Sequence, residues 1–450
     1  MILVKNVSFM VCHDDEIKHD LDLLIEGNTI AAIGTDLVQD PDRCHTVLDG
    51  RGKLVMPGLI NSHTHLWQSF LKGKRDDLPL TPWCDEIILP FLKKLTQCDG
   101  RKGSGEISYL WSMLGAMEMV RSGITTVIDM DLGFQSHLIP QAWVDLGMRG
   151  VIAVEMSDQW GSSAEGASIE DEMENVLDLV ERWHRPWTGD NLVQVALGPS
   201  APFICSETLL AWVKQQAETY GLGIQIHVSE TKGEVEEALA RWGKHPLEYL
   251  ETTGLLSCPV SAVHCVHLTP QEIELARRYA VVPVYCPKSN MKLGSGVAPL
   301  KEMLDAGLEI ALATDGAASN DLLDPFEEMR AGVMLQKATR EDPAAASAHQ
   351  LLRMATSGGA KACRLDAGII APGKLADLVI LDFDAPHLLS FDSDLVPALV
   401  YCAKAGDVES VIINGKLVMR DRKFLCIDED LLYDEIVAAG RYYADGQVWE

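Results

Sequence analysis

Two histidines one residue apart, His63 and His65 in NSHTHLW, are the first residues here whose spacing could do chemistry. Side chains two apart on a β-strand point the same way, so this pair would aim both imidazoles at one point. Further along, His227 ends the apolar run GIQIHV, His264 ends VSAVH, and Asp315 ends LEIALATD. Glu230 follows His227 by three residues. Each has a plain reading taken alone. A histidine at a strand end is commonly a hydrogen-bonded scaffold group, Asp315-Gly316 is a turn signal, and Glu230 is a helix-start acid. That reading would have to hold five or six times over, always at a strand end. Three imidazoles and a carboxylate, with a position left for solvent, suit Zn²⁺ or Fe²⁺ in a catalytic site. A carboxylate placed as Glu230 is could carry protons beside it. The run VALGPSAP offers no lysine to bridge a second metal, which favours a single ion. The other histidines (His13, His19, His45, His137, His184, His245, His349 and His387) fall in loops or helices and read as structural, with His267 a supporting group at most.

The elements that must hold these groups are legible as a repeating pattern. Eight apolar runs recur: VMPGLINSHTHL, GITTVIDMD, GVIAVEM, LVQVALGP, GIQIHVSE, VSAVHCVH, AVVPVYCP and LEIALATDG. Helical patterns separate them, such as Ser206 to Gly221 and Leu268 to Ala280. Ser206 and Thr269-Pro270 stand where helix starts belong, and Gly221 where a helix stops. Near-continuous apolar strands alternating with helices mean a parallel sheet covered on both faces. Eight of them over about 300 residues predict an α/β fold with a (β/α)₈, TIM-like barrel, whose active site is built at the C-terminal strand ends. A doubly wound open sheet is the alternative, but no GxGxxG follows the first strand. Both ends of the chain differ from this middle. They carry short β-rich runs with turn signals at Gly27-Asn28, Asp49-Gly50 and Asn414-Gly415. One small β-sandwich built from both termini is expected, residues 1–54 with 366–450, around a catalytic barrel of residues 55–365. Asp158 to Asp171 is polar and small and reads as a mobile loop after the third strand. Leu110, Met113 and Met117 form a packing stripe, and Trp67 reads as core. Ser289 with Asn290, and Ser319 with Asn320, are either pocket contacts or turn residues.

Composition limits the partners. The chain has 450 residues and a net charge of −28, which argues against nucleic acid and anionic membranes. Its 47% apolar and 23% charged content is that of a folded globular protein. The 11 cysteines are scattered, with no CxxC pair, so neither a disulfide framework nor a cysteine-rich zinc cluster is indicated. The opening MILVKNVSFMVCHDDEI does not read as a signal peptide, and no run reaches the length needed to span a bilayer. A soluble, cytoplasmic protein is expected.

The motifs PGLINSHTHLWQSFLKG, GITTVIDM, IHVSET, VHCVHL, CPKSNMKLGSGVAP, ATDGAASND and PGKLADLVILD resemble those of the amidohydrolase superfamily over essentially the whole chain. Within it the sequence looks most like the methylthioadenosine/S-adenosylhomocysteine deaminase branch, with triazine hydrolases and 8-oxoguanine deaminases as neighbours. The resemblance implies a barrel with a terminal β-sandwich. It implies that His63, His65, His227 and Asp315 bind one divalent ion, zinc foremost and iron as the alternative. It gives catalytic roles to Glu230, His264 and Asp315. Trp83 in LPLTPWCDE would lie against the substrate, with Glu230, His264, Ser200, Asn290 and Ser319 around it. The implied reaction is hydrolytic deamination of an amino-substituted N-heterocycle of the aminopurine or adenosine-derivative class, with release of ammonia. Displacement of chloride or an alkylamine from a triazine-like ring is an alternative, as is ring-opening of a cyclic amide. The chain departs from the adenosine-type pattern in four places. Thr81 stands where a ribose-binding glutamate is usual, and Ser200 where a histidine is. Val144 and Val154 stand where arginines would hold a carboxylate tail. A neutral or weakly cationic heterocycle is therefore the expected partner, with a homodimer as the default assembly. No PCxxC occurs, which sets aside the nucleic-acid base deaminases.

Overall fold

The run VMPGLINSHTHL divides at Gly58, and that division separates two sheets. The computed structural model describes residues 1–12, 16–38, 44–97, 104–132, 136–159, 168–390 and 393–445. His13 and Cys98 lie outside these residues. Five strands come first: β1 (Ile2–Val11), β2 (Ile17–Glu26), β3 (Thr29–Gly34), β4 (Thr46–Asp49) and β5 (Lys53–Pro57). Eight more follow: β6 (Leu59–Thr64), β7 (Ile124–Asp131), β8 (Arg149–Met156), β9 (Val193–Pro199), β10 (Ile224–Val228), β11 (Val260–His264), β12 (Val282–Tyr285) and β13 (Ala311–Leu312). The last four are β14 (Leu378–Asp382), β15 (Val408–Ile413), β16 (Lys416–Arg420) and β17 (Lys423–Phe424).

The strands β6 to β13 form one eight-stranded sheet in sequence order, and its strand pairs are parallel. Its ends meet through side chains as well as backbone. Asp315 N donates to His63 O at 3.1 Å. Asn61 Oδ1 accepts from Thr314 N at 2.9 Å, and Thr64 Oγ1 donates to Asp315 O at 2.9 Å. The seam of this TIM-like barrel thus runs directly beneath two of the expected metal ligands. Alternation along the strands sorts inside from outside. In β8, Val151 and Ala153 cluster with Ile128 and Ala196, and Val151 lines a cavity at the N-terminal mouth with Gln194 and Gln225. Ile152, Val154 and Met156 point the other way, into the core shared with the surrounding helices. Those helices are capped as the sequence indicates. Ser206 Oγ accepts from Leu209 N, Thr269 Oγ1 accepts from Glu272 N, and Gly221 ends its helix at φ 68°. The loop expected from Asp158 to Asp171 overlaps a helix at its C-terminal end. Ser168 and Asp171 form a capping box that opens the helix Ile169–Trp183, and residues 160–167 lie outside the described set.

The terminal strands make the second sheet, in the order β17-β16-β15-β14-β5-β1-β2-β3 with β4 on β1. It is largely antiparallel and draws on both ends of the chain. One face encloses its own apolar core of Ile2, Val4, Val7, Leu23, Ile25, Leu378 and Ile412. The other, through Leu54, Met56, Val379 and Val411, joins the barrel's outer core. Asn414 and Gly415, at φ 51° and 70°, make the two-residue turn between β15 and β16, a turn that needs both residues left-handed. Arg149, 1% exposed at the base of β8, ties sheet to barrel: its Nε donates to Asp377 Oδ2 at 3.0 Å and its Nη2 to Asn414 Oδ1 at 3.0 Å. Among the described residues, no helix is long and apolar enough to cross a membrane.

Candidate active site

Four imidazoles, contributed by three barrel strands and the turn that follows β6, meet at the C-terminal face of the barrel. Each is held at its far nitrogen. His63 Nδ1 pairs with Gln225 Oε1 at 2.8 Å, and His65 Nδ1 with Met130 O at 2.8 Å. His227 Nδ1 pairs with Ser200 O at 2.7 Å, and His264 Nδ1 with Asn290 Oδ1 at 2.9 Å. All four partners are acceptors, so each Nδ1 carries the proton and each Nε2 presents a lone pair. These Nε2 atoms converge. His63 Nε2 stands 3.3 Å from His227 Nε2, 3.3 Å from Asp315 Oδ1, and His65 Nε2 stands 3.6 Å from the same carboxylate oxygen. The donor atoms of His63, His65 and Asp315 lie within 4.8 Å of one another, as do those of His63, His227 and His264.

The backbone turns these groups inward. Ser229, His264, Cys265 and Asp315 all have positive φ, between 52° and 70°. Left-handed backbone at non-glycine positions is costly and concentrates at functional sites. Asp315 is fixed on every side: Oδ2 accepts from Ser289 Oγ at 2.5 Å and Ser319 Oγ at 3.1 Å, and Oδ1 from Gly316 N at 2.7 Å. Glu230 is fixed through its neighbours. Glu234 accepts from Ser229 N at 2.8 Å and from Glu230 N at 2.7 Å, and Ser295 Oγ donates to Glu230 Oε1 at 3.2 Å. His267 holds the carbonyl of Ser295 at 2.8 Å. Glu230 Oε2 then faces His264 Nε2 at 3.5 Å.

Burial sets the protonation states. It lowers His63 to about 3 and His264 to about 4, with the charge of Asp315 only partly offsetting it. Both imidazoles are neutral at pH 7. Burial also opposes ionisation of Asp315, but its close approach to His63, and to His264 and His65 after it, outweighs burial and holds it well below the usual carboxylate range. Glu230 goes the other way: burial, then the charge on Asp315, raise it to about 7. Two carboxylates in one pocket are thereby split into one that rests ionised and one that rests near its midpoint at neutral pH.

Other expected residues fall in different places. Trp83 is 4% exposed, with its indole N–H buried and without a partner. Trp67 stacks on Phe91 in the core and meets His65 edge-on. Asn290 and Ser319, expected at the substrate, hydrogen-bond His264 Nδ1 and Asp315 Oδ2, and the Nδ2 of Asn290 stays buried without a partner. The hydroxyl of Ser200 is engaged by Glu155 Oε1 at 2.6 Å, while its carbonyl holds His227. Val144 and Val154 leave the site altogether. Val144 is 39% exposed on the helix Leu138–Leu146, and Val154 points into the outer core because strand alternation turns it there. The inward residue at that strand end is its neighbour Glu155. Gln225, Glu234, Ser295 and Glu155 were not singled out by the sequence motifs. Gln225 and Glu155 could have been found by counting two residues along an inward strand face.

Comparison with known proteins places this geometry. An amidohydrolase family model matches residues 54–418. The chain is 37% identical to a 5-methylthioadenosine/S-adenosylhomocysteine deaminase from Caldanaerobacter subterraneus subsp. tengcongensis, over 99% of each chain. Among solved structures it is similar to a zinc-bound adenosine deaminase from Xanthomonas campestris, with a TM-score of 0.87, 28% identity and coverage of 99% and 98% of the two chains. It is also similar to a zinc complex of atrazine chlorohydrolase from Arthrobacter aurescens, with a TM-score of 0.88, 25% identity and coverage of 98% and 100%. With the family model spanning the barrel and a relative this similar along its full length, the chain belongs to the amidohydrolase family.

Proposed function

We propose that this protein is a metal-dependent deaminase of an amino-substituted N-heterocycle, of the adenosine-derivative or aminopurine class. The observation that carries this is the pairing of Glu230, raised to about 7, with a neutral His264 beside the ionised Asp315. The residues also fit a metal. His63 Nε2 and His227 Nε2 face each other at 3.3 Å with both lone pairs presented, an arrangement without a hydrogen bond that a cation between them would satisfy. His63, His65, His227 and Asp315 would hold one divalent ion, zinc in the first instance. Such an ion supplies Lewis-acid activation of water at neutral pH.

The chain's own groups then divide the proton work. Asp315 and His264 Nε2 hold the attacking water against the ring carbon that bears the amino group. Glu230, partly protonated at neutral pH, delivers a proton to the adjacent ring nitrogen. Asp315 relays one proton of the water to the departing amine, which leaves as ammonia, and Glu230 takes back the other as the carbonyl forms. Trp83 packs on the heterocycle, and the low exposure of all these groups keeps bulk water out. The barrel of residues 55–365 carries this chemistry, and the terminal sheet, residues 1–54 with 366–450, supports it. We assign the protein to the cytoplasm as a homodimer; that the cysteines among the described residues are free supports the first of these readings.

Similarity to atrazine chlorohydrolase supports a second reading, in which the same site displaces chloride or an alkylamine. The leaving group separates the two. The zinc-loaded enzyme is offered 5'-methylthioadenosine, guanine, a pterin and chlorotriazines, and each product is identified. Ammonia from a purine or nucleoside is expected. Chloride or alkylamine release alone would move the assignment to the triazine class, and a new carboxylate to ring opening.

A further inference from the structure

The third strand of the barrel brings a carboxylate to the pocket that the chemistry above does not use. Glu155 follows Val151 and Ala153 on the inward face of β8 and pairs with Gly198 of β9. Ser200 Oγ donates to Glu155 Oε1 at 2.6 Å, and the carbonyl of Ser200 holds His227. Glu155 is therefore one hydrogen-bonded residue away from the metal-ligand set. As the last inward residue of β8 before the chain leaves the strand, Glu155 stands at the same C-terminal mouth of the barrel as the catalytic carboxylates.

Two more carboxylates stand near Glu155. Asp158 accepts from Ser206 N at 2.7 Å. Glu172, on the first turn of the helix Ile169–Trp183, is 8% exposed, and its Oε2 has no hydrogen-bond partner. Burial, followed by the charges of the nearby Glu155 and Asp158, raises Glu172 to about 8, so it rests protonated at neutral pH and ionises when a cation comes beside it. Among the described residues, none of the three is paired with a lysine or arginine. Glu234, equally buried, shows the contrast, since both its oxygens accept backbone N–H groups. A buried carboxylate without a donor is costly and is relieved by positive charge. The three do not converge as ligands: the metal-competent groups found among the described residues both centre on His63. An inorganic ion is thus not the fitting occupant, and a neutral diol would need only one of the carboxylates.

We propose that Glu155, backed by Glu172 and Asp158, is a cation subsite of the substrate pocket, and that the preferred heterocycle carries an ammonium-type nitrogen remote from its reacting carbon. This names the substrate class for the deaminase reading and rests on it only for turnover. The same carboxylates select against an anionic tail. The test uses a matched pair of nucleosides that differ in one group, 5'-amino-5'-deoxyadenosine and 5'-deoxyadenosine. Affinity for the metal-loaded protein is measured by calorimetry, and ammonia release by kcat/KM. The amine should bind about tenfold more tightly or better, as expected for a charge complemented in a desolvated pocket. Glu155→Gln should bring the ratio close to one, and Glu172→Gln should reduce it, with thermal melting confirming that each variant is folded. Should E155Q fail to fold, loss of the preference in E172Q still decides. Equal affinities, failure of the amine to bind, or a preference that survives both substitutions would overturn the proposal. Preferential, Glu155-dependent binding without ammonia from either ligand would sustain the subsite and remove the deaminase reading instead.

Discussion

Each imidazole of the site owes its orientation to an acceptor behind it, and Gln225 does this for His63 while also donating to Ser62 O at 2.8 Å. Gln225→Leu keeps the volume but leaves the Nδ1 proton of His63 unpaired in a dry interior. Zinc affinity should fall about 10- to 100-fold, the usual effect of losing an outer partner of a ligand, in a chelator competition titration. Glu230 tests a different property. Glu230→Gln retains shape and the bond to Ser295 but cannot exchange a proton. It should keep its zinc and lose about 10²- to 10⁴-fold in kcat, the range for general acid–base groups. Full turnover in that variant would remove Glu230 from the proton path. The cluster of His63, His65, His227, His264 and Asp315 was legible in the sequence because histidine and aspartate are unusual at the ends of apolar strands. The hydrogen bonds that Asn290 and Ser319 make to His264 and Asp315 were not. A short polar side chain near a site can face substrate or brace a ligand, and only the fold tells Ser319 Oγ from a pocket hydroxyl.

At the scale of elements, the eight strands and their order could be read from apolar runs, because a sheet buried on both faces leaves little room for polar residues. Their ends could not be read so well. His264 departs from strand geometry at φ 70°, and β13 is only two residues long before the chain turns to place Asp315. The pocket side of each strand follows from alternation, which the two valines illustrate. Val154 matched a position in a family pattern, yet its side chain faces the helices, and the pocket belongs to Glu155. The approach of β8 to β9 at this level depends on Gly198. A Cβ there would lie 2.6 Å from the carbonyl oxygen of Val154, which is backbone and cannot swing away. Gly198→Ala should cost about 1–3 kcal/mol of stability through forced backbone shifts, read from denaturant unfolding. It should also disturb Ser200 and so weaken the hold on His227. Unchanged stability would mean that the two strands separate more easily than this contact implies.

For the whole molecule, the net charge of −28 conceals carboxyls that burial keeps from ionising. Glu172, Glu234 and Glu328 each rise from 4.5 to about 8, with burial the first cause in every case. Between those values the folded chain holds protons that the unfolded chain has released. Their contribution to stability is complete below the unfolded value and is lost as pH climbs through the folded one. The low value of Asp315 acts in the opposite sense, but at pH below its free value of 3.8, outside this window. The melting temperature should therefore fall from about pH 6.5 to about pH 8 at constant ionic strength, above the range in which the lowered values of His63 and His264 act in the opposite sense. Glu328→Gln, removing one of the three, should flatten that slope, and a melting temperature that rises over the interval would contradict the assignment. At this scale the sequence showed two β-rich ends and a barrel between them, but not how they are joined. The buried contact of Arg149 with Asp377 spans 228 residues and leaves no local signal.

The central claim is that one divalent ion, held by His63, His65, His227 and Asp315, makes this fold a deaminase. The most direct measurement strips the protein with a chelator and restores zinc stepwise, following ammonia from 5'-methylthioadenosine and bound metal in the same samples. Ammonia release should be absent in the stripped protein, rise in proportion to bound zinc, and level off at one ion per chain. Release that persists without metal, or that needs a second ion, would contradict the account.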